Sequence, residues 1–125
     1  MNTLQQRLVT FSVMIFEQIQ GIKRDPLLGD IANQLLRSAT SAGANYSEAQ
    51  AASSSKDFHN KIRIALKEMK ETQYWISFLQ ASKVEITDVK SLFQESDELI
   101  RILSTICKKT DPANISTCVS ENCHM

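Results

Sequence analysis

Apolar residues recur at steps of three and four along four segments of the sequence, and this spacing most restricts what the chain can fold into. Such steps place side chains on one face of an α-helix, whereas a half-buried strand needs strict alternation. The apolar positions of the first segment are Leu4, Leu8, Phe11, Ile15, Ile19 and Ile22. They predict a helix over residues 3–22. The chain has only three Gly and two Pro, too few for the turns of a sheet protein, so the predicted class is all-α.

The second segment is predicted to be a helix that ends near residue 52. The sequence offers two candidate positions for its first residue. Asp25 with Pro26 and Gly29 with Asp30 are both typical of a helix N-terminus.

Ser54, followed three residues later by Asp57, resembles a capping box and predicts the start of a third helix of about 28 residues. A fourth helix is expected to begin near Thr87, the predicted N-cap. Short connections between long amphipathic helices favour antiparallel neighbours. We therefore expect an up-down-up-down antiparallel four-helix bundle over residues 1–110.

The charge balance and the apolar runs restrict the partners of the chain. Acidic and basic residues number 14 each, so no overall field would hold the protein to nucleic acid or to an anionic membrane. No apolar run reaches the roughly 20 residues of a membrane span, and the N-terminus lacks the pattern of a secretory signal. We expect a cytoplasmic protein with no membrane partner.

The helical period is lost near the C-terminus, and residues 111–125 are expected to form a disordered tail. The tail contains the three candidate ligands of a weak metal site, namely Cys118, Cys123 and His124. Three ligands at unusual spacing do not match a structural zinc site, so no metal and no cofactor are expected. Cys107 lies on an apolar stripe and is expected to pack in the core. His59 is expected on a helix surface.

The first and third predicted helices carry apolar residues outside their main stripes. These residues are Val9, Val13 and Phe16 on the first helix and Ile64, Trp75 and Phe78 on the third. A monomer buries one face of each helix, so a second stripe favours a subunit interface, although scattered exposed apolar residues are also normal. We expect a homo-oligomer whose subunits meet at these residues.

The segment RSATSAGANYSEAQ, residues 37–50, places weak helix formers in the middle of the second predicted helix. Small residues let a neighbouring backbone approach closely, and Gly43 is expected at such a contact, where Leu would overpack the site. The polar residues either face solvent or form a network with the third helix that fixes helix register or subunit contact. The residues of this contact and network are Arg37, Ser41, Gly43, Asn45, Glu48, Glu68 and Glu71.

Four cations follow one another at steps of seven, four and three along the third predicted helix, which places them on one face. They are Lys56, Arg63, Lys67 and Lys70, and we call them the basic stripe. A charge stripe is usually the solvated face of an amphipathic helix. Repeated around a ring of subunits, it would instead hold a phosphate backbone.

Two motifs on successive predicted helices, RSATSAGANYSEA and KIRIALKEMKETQYW, resemble bacterial four-helix-bundle proteins encoded in intervening sequences of 23S ribosomal RNA genes. The resemblance covers roughly residues 4–107. That family is similar in turn to the accessory protein of diversity-generating retroelements, a homopentameric bundle that binds nucleic acid and a reverse transcriptase. The resemblance implies a homopentamer, with RNA or DNA as one candidate ligand and no established catalytic activity.

No catalytic motif is present: the sequence lacks a glycine-rich phosphate loop, an HExxH motif and a nucleophile elbow. We therefore assign no catalytic residue and expect no enzyme. The first hypothesis is a non-catalytic oligomeric scaffold or adaptor that binds another protein. The alternative is weak, sequence-tolerant binding of RNA or DNA through the basic stripe.

Overall fold

Four long helices make up the structure, a computed structural model that describes residues 2–114. In chain order they are α1 (Thr3–Gln18), α2 (Gly29–Gln50), α3 (Ser55–Ala81) and α4 (Val89–Thr110), and a 3-10 turn (Ile19–Gly21) follows α1. The described residues contain no strand. Each helix packs on the next one in the chain, and α1 also touches α4 at a few positions. The predicted all-α, up-down-up-down four-helix bundle is confirmed.

The helix starts follow the capping signals of the sequence in part. The hydroxyl of Ser54 accepts a hydrogen bond of 3.0 Å from the backbone N–H of Asp57, as the predicted capping box requires. Of the two candidate starts for the second helix, the one at Gly29 is correct. Asp25 instead closes the preceding turn, because its side chain accepts hydrogen bonds from the next backbone N–H groups. The N-cap of α4 is Asp88, one residue after the predicted position.

Most of the core side chains of α2 are alanines, so they are smaller than most core side chains of the other helices. Four alanines of α2, each no more than 1% exposed, face the neighbouring helices: Ala32, Ala39, Ala42 and Ala49. Their small volume lets α3 approach closely. Within this contact the hydroxyl of Thr72 donates a hydrogen bond of 2.8 Å to the Ser38 hydroxyl, which itself donates to the Leu35 carbonyl at 3.1 Å. Both buried hydroxyl groups therefore have partners, as burial of polar groups requires.

The expected surface position of His59 is wrong. His59 is only 7% exposed, and its Nδ1 lies 2.9 Å from Oγ1 of Thr110. It is covered because α4 runs to Thr110, so the last turn of α4 lies over the first turns of α3. Cys107, in the same part of α4, is half-buried and packs against the core, close to what was expected.

The first residues of the expected disordered tail have a defined structure. Residues 112–114 form one more helical turn after α4. The Asn114 amide donates a hydrogen bond of 2.8 Å to the Lys108 carbonyl, and the Ala113 backbone N–H donates one of 2.9 Å to the Asp111 carboxylate. The rest of that tail, residues 115–125 with the three weak metal-ligand candidates, lies outside the described residues. Within residues 2–114, none of the helices has both the length and the apolar character that crossing a bilayer demands.

Gly43 lies where α2 meets α1, and not where α2 meets α3. A Cβ atom added at Gly43 would lie 3.6 Å from the Cβ of Leu8, an ordinary van der Waals distance. Ala therefore fits the site, and the predicted overpacking applies only to larger residues. We expect Gly43→Ala to raise the free energy of unfolding by up to about 1 kcal/mol, because Ala has the higher helix propensity. Chemical denaturation measures this difference.

Gly29→Ala is the matched control for that substitution. A Cβ atom at Gly29 would lie 2.7 Å from the backbone oxygen of Lys23, closer than real Cβ contacts. This variant should therefore be less stable than the wild type. If Gly43→Ala lowers the stability as well, α1 and α2 are packed more tightly at Gly43 than the structure shows.

Candidate functional site

The basic stripe is exposed along the first half of α3. Its four cations lie between Lys56 and Lys70, which at a rise of 1.5 Å per residue spans about 21 Å of the helix. Among residues 2–114, none of the four forms an ion pair with an acidic side chain; the ion pairs there use other cations. Within this part of the chain, the four cations are thus exposed and are not neutralised by an ion pair.

The acidic residues of α4 are engaged elsewhere. Arg7 of α1 pairs with Glu95 at 2.7 Å and with Glu98 at 3.2 Å, and Asp97 pairs with Arg101 at 3.0 Å. The hydrogen bond to Glu95 raises the pKa of Arg7 above its ordinary value. Although acidic and basic residues are equal in number, their charges are thus distributed unevenly over the surface.

Two shallow grooves flank the basic stripe, one on each side. One groove, of about 320 Å³, is lined by Arg63, Leu66, Lys67, Lys70 and Cys107. The other, of about 560 Å³, is lined by Asn60, Arg63, Ile64 and Lys67. Arg63 and Lys67 line both grooves and so form the ridge between them. They are the best placed of the four cations to contact an extended anion.

Two further lysines, absent from the predicted basic stripe, lie at the end of α4. Lys108 and Lys109 are exposed in its last turn. The contact between His59 and Thr110 brings this turn beside the start of α3, where the basic stripe begins. Their position at the end of the fourth predicted helix was visible in the sequence, but their nearness to the stripe depends on the bundle.

Part of the predicted polar network forms between α2 and α3. Arg37 makes ion pairs with Glu71 and, at 3.4 Å, with Glu68. Its hydrogen bond to Glu71 raises the pKa of Arg37 above its ordinary value. The indole Nε1 of Trp75 donates a hydrogen bond of 3.2 Å to the same Glu71 carboxylate. The structure thus brings Arg37, Glu68 and Glu71 together, and Glu71 also binds Trp75.

The other members of the predicted network lie apart from this cluster. Glu48 pairs with Lys61 of α3 at 3.2 Å. The Asn45 amide donates its hydrogen bond to the Ser41 carbonyl of its own helix, at 2.8 Å. Gly43 faces α1. The predicted network is therefore two separate contacts between α2 and α3, and neither includes the Asn45 or Ser41 side chain.

The apolar residues expected at a subunit interface on α1 form one surface. Val9, Val13 and Phe16 are 47%, 45% and 50% exposed. With Leu36, Gly43 and neighbouring residues of α2 they line a groove of about 380 Å³. We call this surface the α1 groove. Its lining is apolar, with Ser12 and Thr40 as the polar residues.

The interface candidates on α3 do not form one continuous surface. Ile64 lines a groove of the basic stripe. Phe78 lies 14 residues further along α3, about 21 Å away along the helix axis, and Trp75 is half-buried. Phe78 belongs with Trp75 and Tyr74 to what we call the aromatic cluster. The ring centroids of Tyr74 and Trp75 are 5.1 Å apart, and those of Trp75 and Phe78 are 6.3 Å apart.

Within residues 2–114, no group of three His, Cys, Asp or Glu side chains is placed to hold a metal ion. The fold and surfaces define a small all-α four-helix-bundle protein with an apolar groove and a basic stripe.

The profile of the 23S rRNA-intervening sequence protein family matches residues 2–105, and the chain belongs to this family. A solved structure from Bacteroides thetaiotaomicron, described as a protein with unknown function from the S23 ribosomal protein family, is similar. It is 33% identical with a TM-score of 0.72, and the match covers 85% of this chain and 99% of that one. No curated protein matches the chain. The further resemblance to the retroelement accessory protein stays a hypothesis.

Proposed function

We propose that the protein is a non-catalytic oligomeric scaffold whose subunits meet through the α1 groove. The proposal rests on the exposed apolar residues of this groove. Monomeric proteins seldom leave a contiguous apolar surface in water, and burying it contributes roughly 25 cal/mol per Å². A second copy of the chain is the occupant we propose, and a protein partner would then be held by the assembled scaffold.

A second copy covers the α1 groove in one of two ways. If groove meets groove, the contact is a twofold pair. If the groove meets a different surface of the next subunit, the contact is head-to-tail and closes into a ring when the rotation between subunits permits. Five subunits is the number that the retroelement resemblance implies.

Light scattering at micromolar concentration tests the scaffold proposal. We expect a mass several times that of the 14.1 kDa chain, and for five subunits about 70 kDa, five times the mass of the chain. A single species near 14 kDa would rule out the oligomer.

Binding of nucleic acid is the second function that we propose, and it is favoured by the basic stripe, whose cations form no ion pair within residues 2–114. Exposed Lys and Arg side chains contact phosphates, and phosphate contacts carry affinity without sequence information. Binding should therefore be weak and sequence-tolerant for one subunit. Several copies of the stripe on one oligomer would strengthen it, because one strand would contact several subunits at once.

A further inference from the structure

We infer that the nucleic acid bound by the basic stripe is single-stranded, and that its bases stack on the aromatic cluster of α3. This inference rests on the second proposed function. It adds Tyr74 and Phe78 to the binding surface and excludes a double helix as the preferred ligand.

Tyr74 continues the face of α3 on which the basic stripe lies. Lys67, Lys70 and Tyr74 follow one another at steps of three and four, which places their side chains on one helix face. Tyr74 lies one turn beyond Lys70, about 6 Å along the axis. It is 60% exposed, more than the aliphatic residues of the α1 groove. A large ring is thus presented to solvent directly beside the last cation of the stripe.

The aromatic cluster is held in place by contacts of Trp75 with the rest of the bundle. Trp75 contacts Tyr74 and Phe78 edge-on, with interplanar angles of 76° and 69°. The indole of Trp75 donates a hydrogen bond to Glu71, and Glu71 pairs with Arg37 of α2. Because Trp75 is fixed to the bundle, its two exposed neighbours have a supported position. Less side-chain freedom is then lost when a ligand binds to them.

Cations and exposed aromatic rings on one surface are typical of proteins that bind single strands. The cations contact the backbone, and successive bases stack on the rings without regard to sequence. A double helix offers its phosphates to the same cations, but its bases are stacked on one another and do not reach the rings. The α3 surface should therefore favour a single strand over a duplex.

A second copy of the chain is a less suitable occupant for this part of α3. The cores of subunit interfaces are depleted of lysine, and Lys67 and Lys70 adjoin Tyr74 on the same face. The α1 groove, by contrast, is lined without a charged residue. The charge beside the aromatic cluster thus matches an anionic ligand better than an apolar one.

Fluorescence anisotropy with labelled oligo(dT) and with a duplex of equal length, both at about 50 mM salt, tests the inference. We expect the single strand to bind at least about tenfold more tightly, and Tyr74→Ala to lose about tenfold of that affinity, the loss typical for one stacked base. Tyr74→Phe keeps the ring and should bind like the wild type, whereas Tyr74→Leu should resemble the Ala variant. Trp75 is the only tryptophan, so its emission should change when the single strand binds.

Each contrary result points to a different error. Equal affinity for duplex and single strand overturns the inference, as does a Tyr74→Ala variant that binds oligo(dT) like the wild type. A smaller mass of Tyr74→Ala in light scattering also overturns it, because Tyr74 would then belong to the subunit interface. If neither oligonucleotide binds to the folded oligomer, the second proposed function itself is wrong.

Discussion

Charge reversal at Arg63 and Lys67 is expected to abolish the binding of RNA and DNA while leaving the helical circular dichroism signal unchanged. Both side chains are exposed and line both grooves of the basic stripe. Replacing them with Glu changes the stripe from four positive charges to no net charge. Because neither residue makes an ion pair with another described residue, the bundle loses no such contact.

The salt dependence of the wild-type affinity is the quantitative part of this test. If phosphates are the contacts, the logarithm of the affinity should fall linearly with the logarithm of the salt concentration. The slope should be about −0.7 to −0.9 for each phosphate neutralised. The double Glu variant should show no measurable binding even at low salt.

Lys23→Glu with Lys90→Glu is the matched control for charge reversal. Both lysines are exposed, and they lie at the end of the bundle away from the start of α3. The substitutions change the net charge of the chain by the same amount. This control should keep most of the wild-type affinity. An equal loss in both double variants would show that net charge, and not the basic stripe, determines binding.

Replacing Val13 and Phe16 with Glu is expected to dissociate the oligomer into 14.1 kDa monomers. Both residues are about half exposed in the monomer, so most of the helical signal should remain. In the assembled protein the new carboxylates would be buried in the α1 groove without a partner. Each such buried charge costs several kcal/mol. Light scattering measures the mass, and circular dichroism checks the fold.

Leu27→Glu is the matched control, because Leu27 is largely exposed and lies outside the α1 groove. It adds the same type of charge at an apolar position, and the oligomer should persist. An unchanged mass for the Val13 and Phe16 variant would show that the subunits meet elsewhere. Phe78 and Ile64 would then be the next residues to substitute.

The helices could be predicted from the sequence because their apolar stripes are local patterns. Each stripe identifies the buried face of its own helix, and the Ser54 hydroxyl marks the start of α3. The same pattern should have placed His59 in the interior. It precedes Ile62 by three residues, in the register that continues through Ala65 and Met69. Its polarity concealed this, because the partner hydroxyl on Thr110 lies 51 residues away.

The surfaces were less predictable, because charges are paired between helices. Glu68 adjoins Lys67 in the sequence, yet it pairs with Arg37 of α2. Whether the cations of the basic stripe form ion pairs therefore depends on contacts between helices, which a local sequence pattern does not show. Tyr74 was overlooked for another reason. Its spacing from Lys70 was visible, but the exposure of its ring depends on how far α4 covers α3.

The attachment of α1 has a consequence for the proposed assembly. α1 packs on α2 but touches α4 at only a few positions, so the helix that carries the subunit groove is the one least held by its own chain. A neighbouring subunit bound there would restrain α1, and mass action would then couple assembly to folding. The melting temperature would rise with protein concentration. On dilution, α1 would open before the closely packed pair of α2 and α3.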